Sequence, residues 1–273
     1  MKVRVYFLLL LPIVLGSCGD YEKLLKSTDY DLKKEKAKEY FNAHQYVKSS
    51  ELLGQVLPRY RATDEAEELN WMNAQSYFGM KQYDMAGTYF KSLIEQYPYG
   101  KHAEEGTYLA ALCDFYLAPR PSLDQESSRN AIEGFTLFIN RFPLSPKVEE
   151  AKNHLTTLKE RLVEKSYMNA RLYYDMKEYK AAVTALSNSL KEYSDSKYRE
   201  EMMYLKLNSL YLYAENSYAN KQKERYQATL DEYYSFMEEF PQSKYSKDVK
   251  RIYQDTARYL KIENTADSLI NKK

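Results

Sequence analysis

The stretch AQSYFGMKQYDMAGTYFKSLIEQYP, from Ala74 to Pro98, decides the fold. It predicts two short helices joined by a turn, with small residues at Ala74 and Ala86 and large side chains around them. The same spacing recurs 37 residues earlier (77 − 40) and 96 residues later (173 − 77). The three copies are Ala37, Tyr40, Tyr46, Ser49, Leu53 and Tyr60; Ala74, Tyr77, Tyr83, Ala86, Phe90 and Tyr97; and Ala170, Tyr173, Tyr179, Ala182, Leu186 and Tyr193. A repeat of this length indicates a solenoid of helical hairpins.

The order of small and large residues in this unit resembles the tetratricopeptide (TPR) repeat, which ends on a proline as this unit does at Pro98. Ala or Ser allows two helices to approach closely, and the large neighbouring side chains fill the remaining space. We therefore predict an all-α, TPR-type helical-hairpin solenoid of about five repeats with a C-terminal capping helix. The resemblance implies a protein-binding scaffold, since TPR arrays mainly bind other proteins.

The first 17 residues have the pattern of a targeting segment. Lys2 and Arg4 form a positive start, and the apolar run from Val5 to Leu15 is shorter than the roughly 20 residues of a membrane span. The run ends at Cys18 in the tetrapeptide LGSC, which resembles a bacterial lipobox. The resemblance implies acylation of Cys18, and several acyl chains anchor a protein stably. The alternative is a plain secretory signal that happens to contain a cysteine.

Sorting follows from the residues after the cysteine. Gly19, not Asp, comes next, which by the same resemblance favours the outer membrane over retention in the inner membrane. The start CGDYEKLLKS lacks the dense acidic run linked to surface export in Bacteroidetes. We therefore expect a lipid-anchored protein of the outer membrane that faces the periplasm.

The chain divides into five predicted regions. Residues 1–17 are the signal peptide, 18–31 a lipidated tether, 32–146 TPR repeats one to three, and 147–262 the remaining repeats with the cap. A polar tail covers 263–273. Asp29 or Asp31 is expected to cap the first repeat helix. Extra residues between the two helices are expected in repeats three and five, and one long helix over 147–177 is expected to link repeats three and four.

Composition excludes several function classes. The net charge is +1 with 29% charged residues, so the sequence has no basic footprint for nucleic acid. If Cys18 is acylated, Cys113 has no disulfide partner, and it reads as a core residue rather than a reactive thiol. His44, His102 and His154 lie in three different units. We predict no metal, no cofactor and no catalytic residues, hence a protein that is not an enzyme.

Aromatic residues are frequent, with 29 Tyr in the chain. In the first helices, two positions seven residues apart share one face, and in TPR arrays that face lines the concave groove. The pairs are Lys34 and Phe41, Trp71 and Phe78, Tyr108 and Phe115, and Tyr167 and Tyr174. One interpretation is packing between neighbouring repeats. The other is a groove for an extended peptide with an aromatic end, whose carboxylate Lys34, Lys38 and Arg171 would meet.

The boundaries between repeats carry a further resemblance. They share an aromatic residue, Pro, one variable residue, Ser or Gly, and then Lys. They are Tyr97-Pro98-Tyr99-Gly100-Lys101, Phe240-Pro241-Gln242-Ser243-Lys244 and the weaker Phe142-Pro143-Leu144-Ser145-Pro146-Lys147. With Cys18 and about five TPR units, the chain resembles the BamD family of the outer-membrane β-barrel assembly machinery, of Bacteroidetes type. Ser194 and Arg61 depart from the boundary proline.

That resemblance implies two protein partners besides the membrane. A BamA-type protein with POTRA domains and a β-barrel would bind the C-terminal repeats. The C-terminal segments of unfolded outer-membrane proteins would bind the N-terminal repeats. Two other functions stay open: a periplasmic TPR lipoprotein that scaffolds envelope or peptidoglycan machinery, and a glycan-binding lipoprotein. The latter has only one Trp to offer and lacks long loop-rich inserts.

Overall fold

The computed structural model describes the backbone of residues 11–262 and the side chains of residues 19–262. These residues form twelve α-helices and no strand. The helices are α1 Leu11–Lys26, α2 Tyr30–Asn42, α3 Tyr46–Tyr60, α4 Ala66–Gly79, α5 Tyr83–Gln96, α6 Ala103–Leu117, α7 Glu126–Arg141, α8 Val148–Asp175, α9 Tyr179–Glu192, α10 Arg199–Glu215, α11 Ala219–Glu239 and α12 Ser246–Leu260. The predicted fold class is confirmed, with α2 to α11 pairing into five TPR-like hairpins and α12 as the last helix.

The turn inside a hairpin is the same in repeats one, two and four. His44, Lys81 and Lys177 have φ values of 56°, 60° and 62°, in the left-handed region. At each turn the following backbone N–H donates to a carbonyl five residues back, as in Gln82 N to Tyr77 O at 3.0 Å. This is a Schellman ending, which glycine usually occupies. A non-glycine residue there is strained, so the turn geometry is held by the packing of the two helices.

The boundary between repeats is equally regular. Residues 97–102, 142–147, 193–198 and 240–245 each give a six-residue connection between helices. The first residue of each has φ close to −126° and ψ between 60° and 67°. A following proline disfavours the α region for the residue before it, and Tyr193, which precedes Ser194, adopts the same conformation as the three residues that precede a proline. The missing proline therefore leaves this boundary unchanged.

The small columns explain the close hairpins. Ala37, Ala74, Ala86 and Ala182 are fully buried. Ser49 takes the place of alanine in repeat one, and its Oγ donates to the carbonyl of Ala37 at 3.0 Å. The hydroxyl is therefore satisfied inside the hairpin, as a buried polar group must be.

The chain forms two compact units that meet within α8, at residues 159 and 160, with residues 120–122 grouped with the second unit. The core of the first unit runs through repeats one to three to Val148, Ala151 and Leu158 of α8. The second unit begins its core with Tyr167 and Ala170 of the same helix. The predicted long helix over 147–177 extends from Val148 to Asp175.

Two expected segments differ from the structure. The expected tether, 18–31, is helical to Lys26, and Tyr21, Leu24 and Leu25 pack against the first core. The extra residues of repeat five lengthen its helices to 17 and 21 residues rather than forming a loop from Asn216 to Gln222. By contrast, the insertion of repeat three is a connection over 118–125. Asp29 caps α2, accepting from Leu32 N at 2.9 Å.

Three predictions fall on parts of the chain outside the described residues. They are the signal peptide over 1–17, the acylated side chain of Cys18 and the polar tail over 263–273. Within residues 11–262, no helix has both the length and the apolar character needed to cross a membrane.

Candidate functional site

The predicted peptide-binding residues occupy two positions on the first helix of each repeat. We call them the inner column, which holds Lys34, Trp71, Tyr108 and Tyr167, and the outer column, which holds Phe41, Phe78, Phe115 and Tyr174. In repeat five, Tyr204 continues the inner column and Tyr211 the outer column. The sequence analysis missed this pair, although its two residues have the same spacing of seven.

The inner column lies between repeats. Trp71, Tyr108 and Tyr167 are 8%, 2% and 8% exposed. Each member contacts the last residue of the following boundary, just before the next helix. The contacts are Lys34 Nζ to Glu65 Oε2 at 2.6 Å, Trp71 stacked on His102 at 4.3 Å, Lys147 Nζ at 4.7 Å from the Tyr108 ring, Tyr167 stacked on Tyr198 at 4.3 Å, and Tyr204 stacked on Tyr245 at 4.1 Å. The packing interpretation therefore describes this column.

The three candidate cations have carboxylate partners. Glu65 accepts from both Lys34 and Lys38, at 2.6 Å and 2.8 Å. These hydrogen bonds lower the pKa of Glu65, and the bond to Glu65 raises the pKa of each lysine. Arg171 donates to Tyr167 Oη at 2.7 Å and to Glu201 Oε1 at 3.0 Å. A peptide carboxylate would have to compete with these glutamates.

The outer column is less deeply placed. Phe41, Phe78, Phe115 and Tyr174 are half-buried. In four repeats the outer residue meets, edge to face, an aromatic residue on the second helix of its own hairpin, and in repeats one, two and four that partner is the first residue of the helix. The pairs are Phe41 and Tyr46 at 6.0 Å, Phe78 and Tyr83 at 5.5 Å, Tyr174 and Tyr179 at 6.3 Å, and Tyr211 and Tyr226 at 6.3 Å. These rings stabilise each hairpin. Phe41, Phe78 and Tyr174 keep part of their surface exposed, whereas Tyr211 of repeat five is buried.

Repeat three departs from this pattern at one residue that the sequence reasoning missed. Asp114 stands where repeats one, two and four carry a tyrosine, and it pairs with Lys91 of α5 at 2.9 Å. Short side chains around it, including Ala111 and Gly134, leave a groove of about 370 Å³ between α5 and α7. A Cβ on Gly134 would lie 2.8 Å from the Cβ of Ala111, so glycine is required there.

Cys113 and the histidines complete the inventory of reactive groups. Cys113 is fully buried, and burial raises the pKa of its thiol to about 12, so the thiolate is not populated near neutral pH. His102 donates from Nε2 to Glu68 Oε2, 2.9 Å away. Burial lowers the pKa of His154, whose ring lies 4.3 Å from Phe115. No group of three or more metal-ligating side chains occurs among the described residues.

Solved structures with similar architecture are TPR proteins. A crystal structure of nearly identical TPR-like repeats of a Podosopora anserina kinesin light chain has 15% identity and a TM-score of 0.35, and covers 78% of this chain and 96% of its own. The TPR2AB domain of yeast Sti1, in complex with an HSP90 peptide, has 11% identity and a TM-score of 0.36, and covers 84% and 98%. A search of curated proteins returns no match.

A comparison with protein families matches the chain to YfiO, described as an outer membrane lipoprotein, over residues 31–224. The matched range begins one residue after the start of α2 and ends inside α11, so it covers the first four hairpins and α10 of the fifth. A match over more than two thirds of the chain, with a hairpin array that fits it, shows the family: this chain belongs to the YfiO family of outer membrane lipoproteins.

Proposed function

We propose that the protein is a subunit of the β-barrel assembly (BAM) complex and acts there as a non-catalytic TPR scaffold. The family match over residues 31–224 carries this proposal. The boundary motifs and the five hairpins support it, because they repeat the layout of the BamD family that the sequence resembles. The scaffold would be anchored in the outer membrane by acylated Cys18 and would face the periplasm.

The anchor can be tested directly. Cys18→Ala should remove the protein from the membrane fraction while leaving it folded, because acyl chains supply the anchoring free energy of about 0.8 kcal/mol per buried CH₂. Fractionation and circular dichroism measure the two properties. A variant that stays in the outer membrane at the wild-type level would show that another feature anchors the chain.

The second unit is proposed to bind a BamA-type protein with POTRA domains and a β-barrel. Two of its tyrosines support a partner surface, since Tyr218 is 87% exposed and Tyr234 is 54% exposed. Exposed tyrosines are frequent anchors in protein interfaces. The decisive experiment is purification of the acylated protein from membranes. A co-purifying large β-barrel protein with POTRA domains supports the proposal, and its reproducible absence favours a scaffold of envelope or peptidoglycan machinery.

The first unit is proposed to receive the C-terminal segments of unfolded outer-membrane proteins. The exposed parts of the outer column, at Phe41, Phe78 and Phe115, are the aromatic surface that packing leaves available on its first helices. Phe78→Ala should therefore weaken binding of a peptide with an aromatic C-terminus, and truncation of an anchoring ring costs 2 kcal/mol or more. Calorimetric titration measures it, with Tyr99→Ala, which removes a 97% exposed ring, as control.

The glycan-binding alternative receives no support from the rings. The stacked aromatic faces of the inner column are already occupied by other side chains, as in Trp71 on His102 and Tyr167 on Tyr198. A sugar would find the same half-buried edges as a peptide.

A further inference from the structure

Helix α1 is fixed to repeat one at Tyr21, in the second half of the helix. The hydroxyl of Tyr21 donates to Glu51 Oε2 at 2.7 Å and lies 3.3 Å from the carbonyl oxygen of Lys48, both in the first part of α3. Its ring meets Tyr40 of α2 edge to face at 5.6 Å. Lys48 Nζ lies 5.4 Å from the Tyr21 ring and 5.0 Å from the Tyr40 ring. Through Tyr21 alone, α1 therefore contacts both α2 and α3.

The last turn of α1 is fixed as well. Lys33, which is 2% exposed, donates from Nζ to the carbonyl oxygen of Leu25 at 3.0 Å. A cation at a helix C-terminus is favourable because the unpaired carbonyls carry partial negative charge. Leu24 and Leu25 pack against the first core. With Tyr21 beside Tyr40 and Leu25 beside Lys33, α1 runs antiparallel to α2.

This direction places the residues just before Tyr21 beside the turn between α2 and α3. Going back from Tyr21, the chain continues toward the C-terminal end of α2. Asp20 accordingly borders the same groove, of about 510 Å³, as Ala43 and Gln45. Cys18 is three residues before Tyr21, and three residues span at most about 11 Å even when fully extended. The acylated cysteine therefore cannot move far from this turn.

We propose that this corner of repeat one, residues 43–48 together with Gly19 and Asp20 of α1, rests on the lipid headgroups. The inference relies on the acylation of Cys18 proposed above, and it adds that the anchor holds one edge of the repeat against the bilayer. Val47 is 65% exposed at this corner, and His44 and Lys48 flank it. An apolar side chain between such polar groups suits the interface between headgroups and acyl chains, where amphipathic surfaces bind.

The test compares two labels at opposite ends of α3 in the full acylated chain. Val47→Cys lies at the corner, and Ala62→Cys lies in the exposed turn just beyond the other end of the helix. Both are made with Cys113→Ala, so that the fluorophore attaches at one site. The protein is reconstituted into vesicles of phosphatidylethanolamine and phosphatidylglycerol that contain a nitroxide-headgroup lipid. Because α3 separates the labels by about 22 Å, quenching at residue 47 should be at least about threefold stronger than at residue 62.

A release variant sharpens the test. Tyr21→Ser with Leu24→Ser and Leu25→Ser removes the tyrosine and apolar side-chain contacts of α1 with repeat one, while keeping Cys18 and the length of the chain. Circular dichroism must show that repeat one stays folded, and quenching at residues 47 and 62 should then become similar. A retained difference in a folded release variant would mean that α1 does not set the orientation.

Two failures can be separated by intact mass. A protein without acyl chains refutes the anchor itself and with it the membrane contact. An acylated protein with equal quenching at residues 47 and 62 refutes the membrane contact alone and leaves the proposed lipoprotein scaffold standing.

Discussion

The contacts at the two ends of the array occupy the same position in the repeat but differ in chemistry. Between repeats one and two, Lys34 pairs with Glu65, whose side chain is 41% exposed. Between repeat five and the last helix, Tyr204 stacks on Tyr245 with the rings parallel to within 1°. The helix geometry fixes where neighbouring repeats touch, and the residue types at that point decide whether the contact depends on salt and acid.

Removal of a buried ring from this position should have the largest effect. Trp71→Ala deletes a side chain that stacks on His102 and packs against Phe90, 5.6 Å between ring centroids. Such truncations cost about 3–5 kcal/mol. Urea unfolding followed by circular dichroism measures the loss, with Tyr99→Ala as the exposed control, for which less than about 0.5 kcal/mol is expected. A loss for Trp71→Ala no larger than the control's would mean that the ring is not part of the core.

The stacked tyrosines should show a measurable coupling. In a double-mutant cycle of Tyr204→Ala and Tyr245→Ala, the free energy of unfolding should be non-additive by about 0.5–1.5 kcal/mol. A second cycle, of Tyr204→Ala with Tyr218→Ala, serves as control because Tyr218 is 87% exposed, and it should be additive within about 0.5 kcal/mol. Equal coupling in both cycles would contradict a specific stack.

The ionic contact should be weaker and should respond to salt. A cycle of Lys34→Met and Glu65→Gln should give less than about 1 kcal/mol of coupling, as exposed ion pairs do. The coupling should fall as ionic strength rises, because salt screens exposed charges. The tyrosine cycle should not change under the same conditions. A coupling for Lys34 and Glu65 that is independent of salt would remove the distinction between the two ends.

The smallest expected effect is that of acid, which should weaken the Lys34–Glu65 contact and leave the Tyr204–Tyr245 contact unchanged. Hydrogen bonds from Lys34 and Lys38 lower the pKa of Glu65 in the folded state below its usual 4.5. Its contribution to stability is therefore complete above the unfolded pKa and is lost as the pH falls through the folded pKa. The stability difference between wild type and Glu65→Gln should shrink below about pH 4.5, by well under about 1 kcal/mol since the pair is exposed. A difference that is constant with pH would show that Glu65 is not the titrating partner.

The sequence predicted the hairpins well because their columns repeat. The positions of Ala74 and Ala86 hold small residues in each of the three aligned copies, so the spacing of small residues alone predicts the fold. The sequence did not predict in the same way how deeply each residue on one helix face is buried. Trp71 and Phe78 share a face, yet Trp71 is buried by the next boundary whereas Phe78 is half-buried. Which residue the neighbour covers depends on the stacking of repeats, and no single hairpin contains that information.

Two further features were not predicted from the sequence because each occurs only once in the chain. Asp114 breaks an aromatic column, and only the structure shows that Lys91 is its partner. The part of helix α1 that follows Cys18 has only Tyr21, Leu24 and Leu25 as large apolar residues, too few to give a period. Tyr21 becomes a structural residue through Glu51 and Lys48, which are about 30 residues away in the chain. Long-range partners of this kind leave no local pattern.

The constant length of the boundaries has a consequence for how the array can change. Four boundaries have six residues, and the last residue of each is the one that contacts the inner column, as His102 and Tyr245 do. One added residue there would displace that contact. Repeat three, by contrast, already carries an expanded connection inside its hairpin, over residues 118–125. Epitopes or reporter peptides should therefore be grafted at residues 118–125, where the surroundings already accept a longer connection.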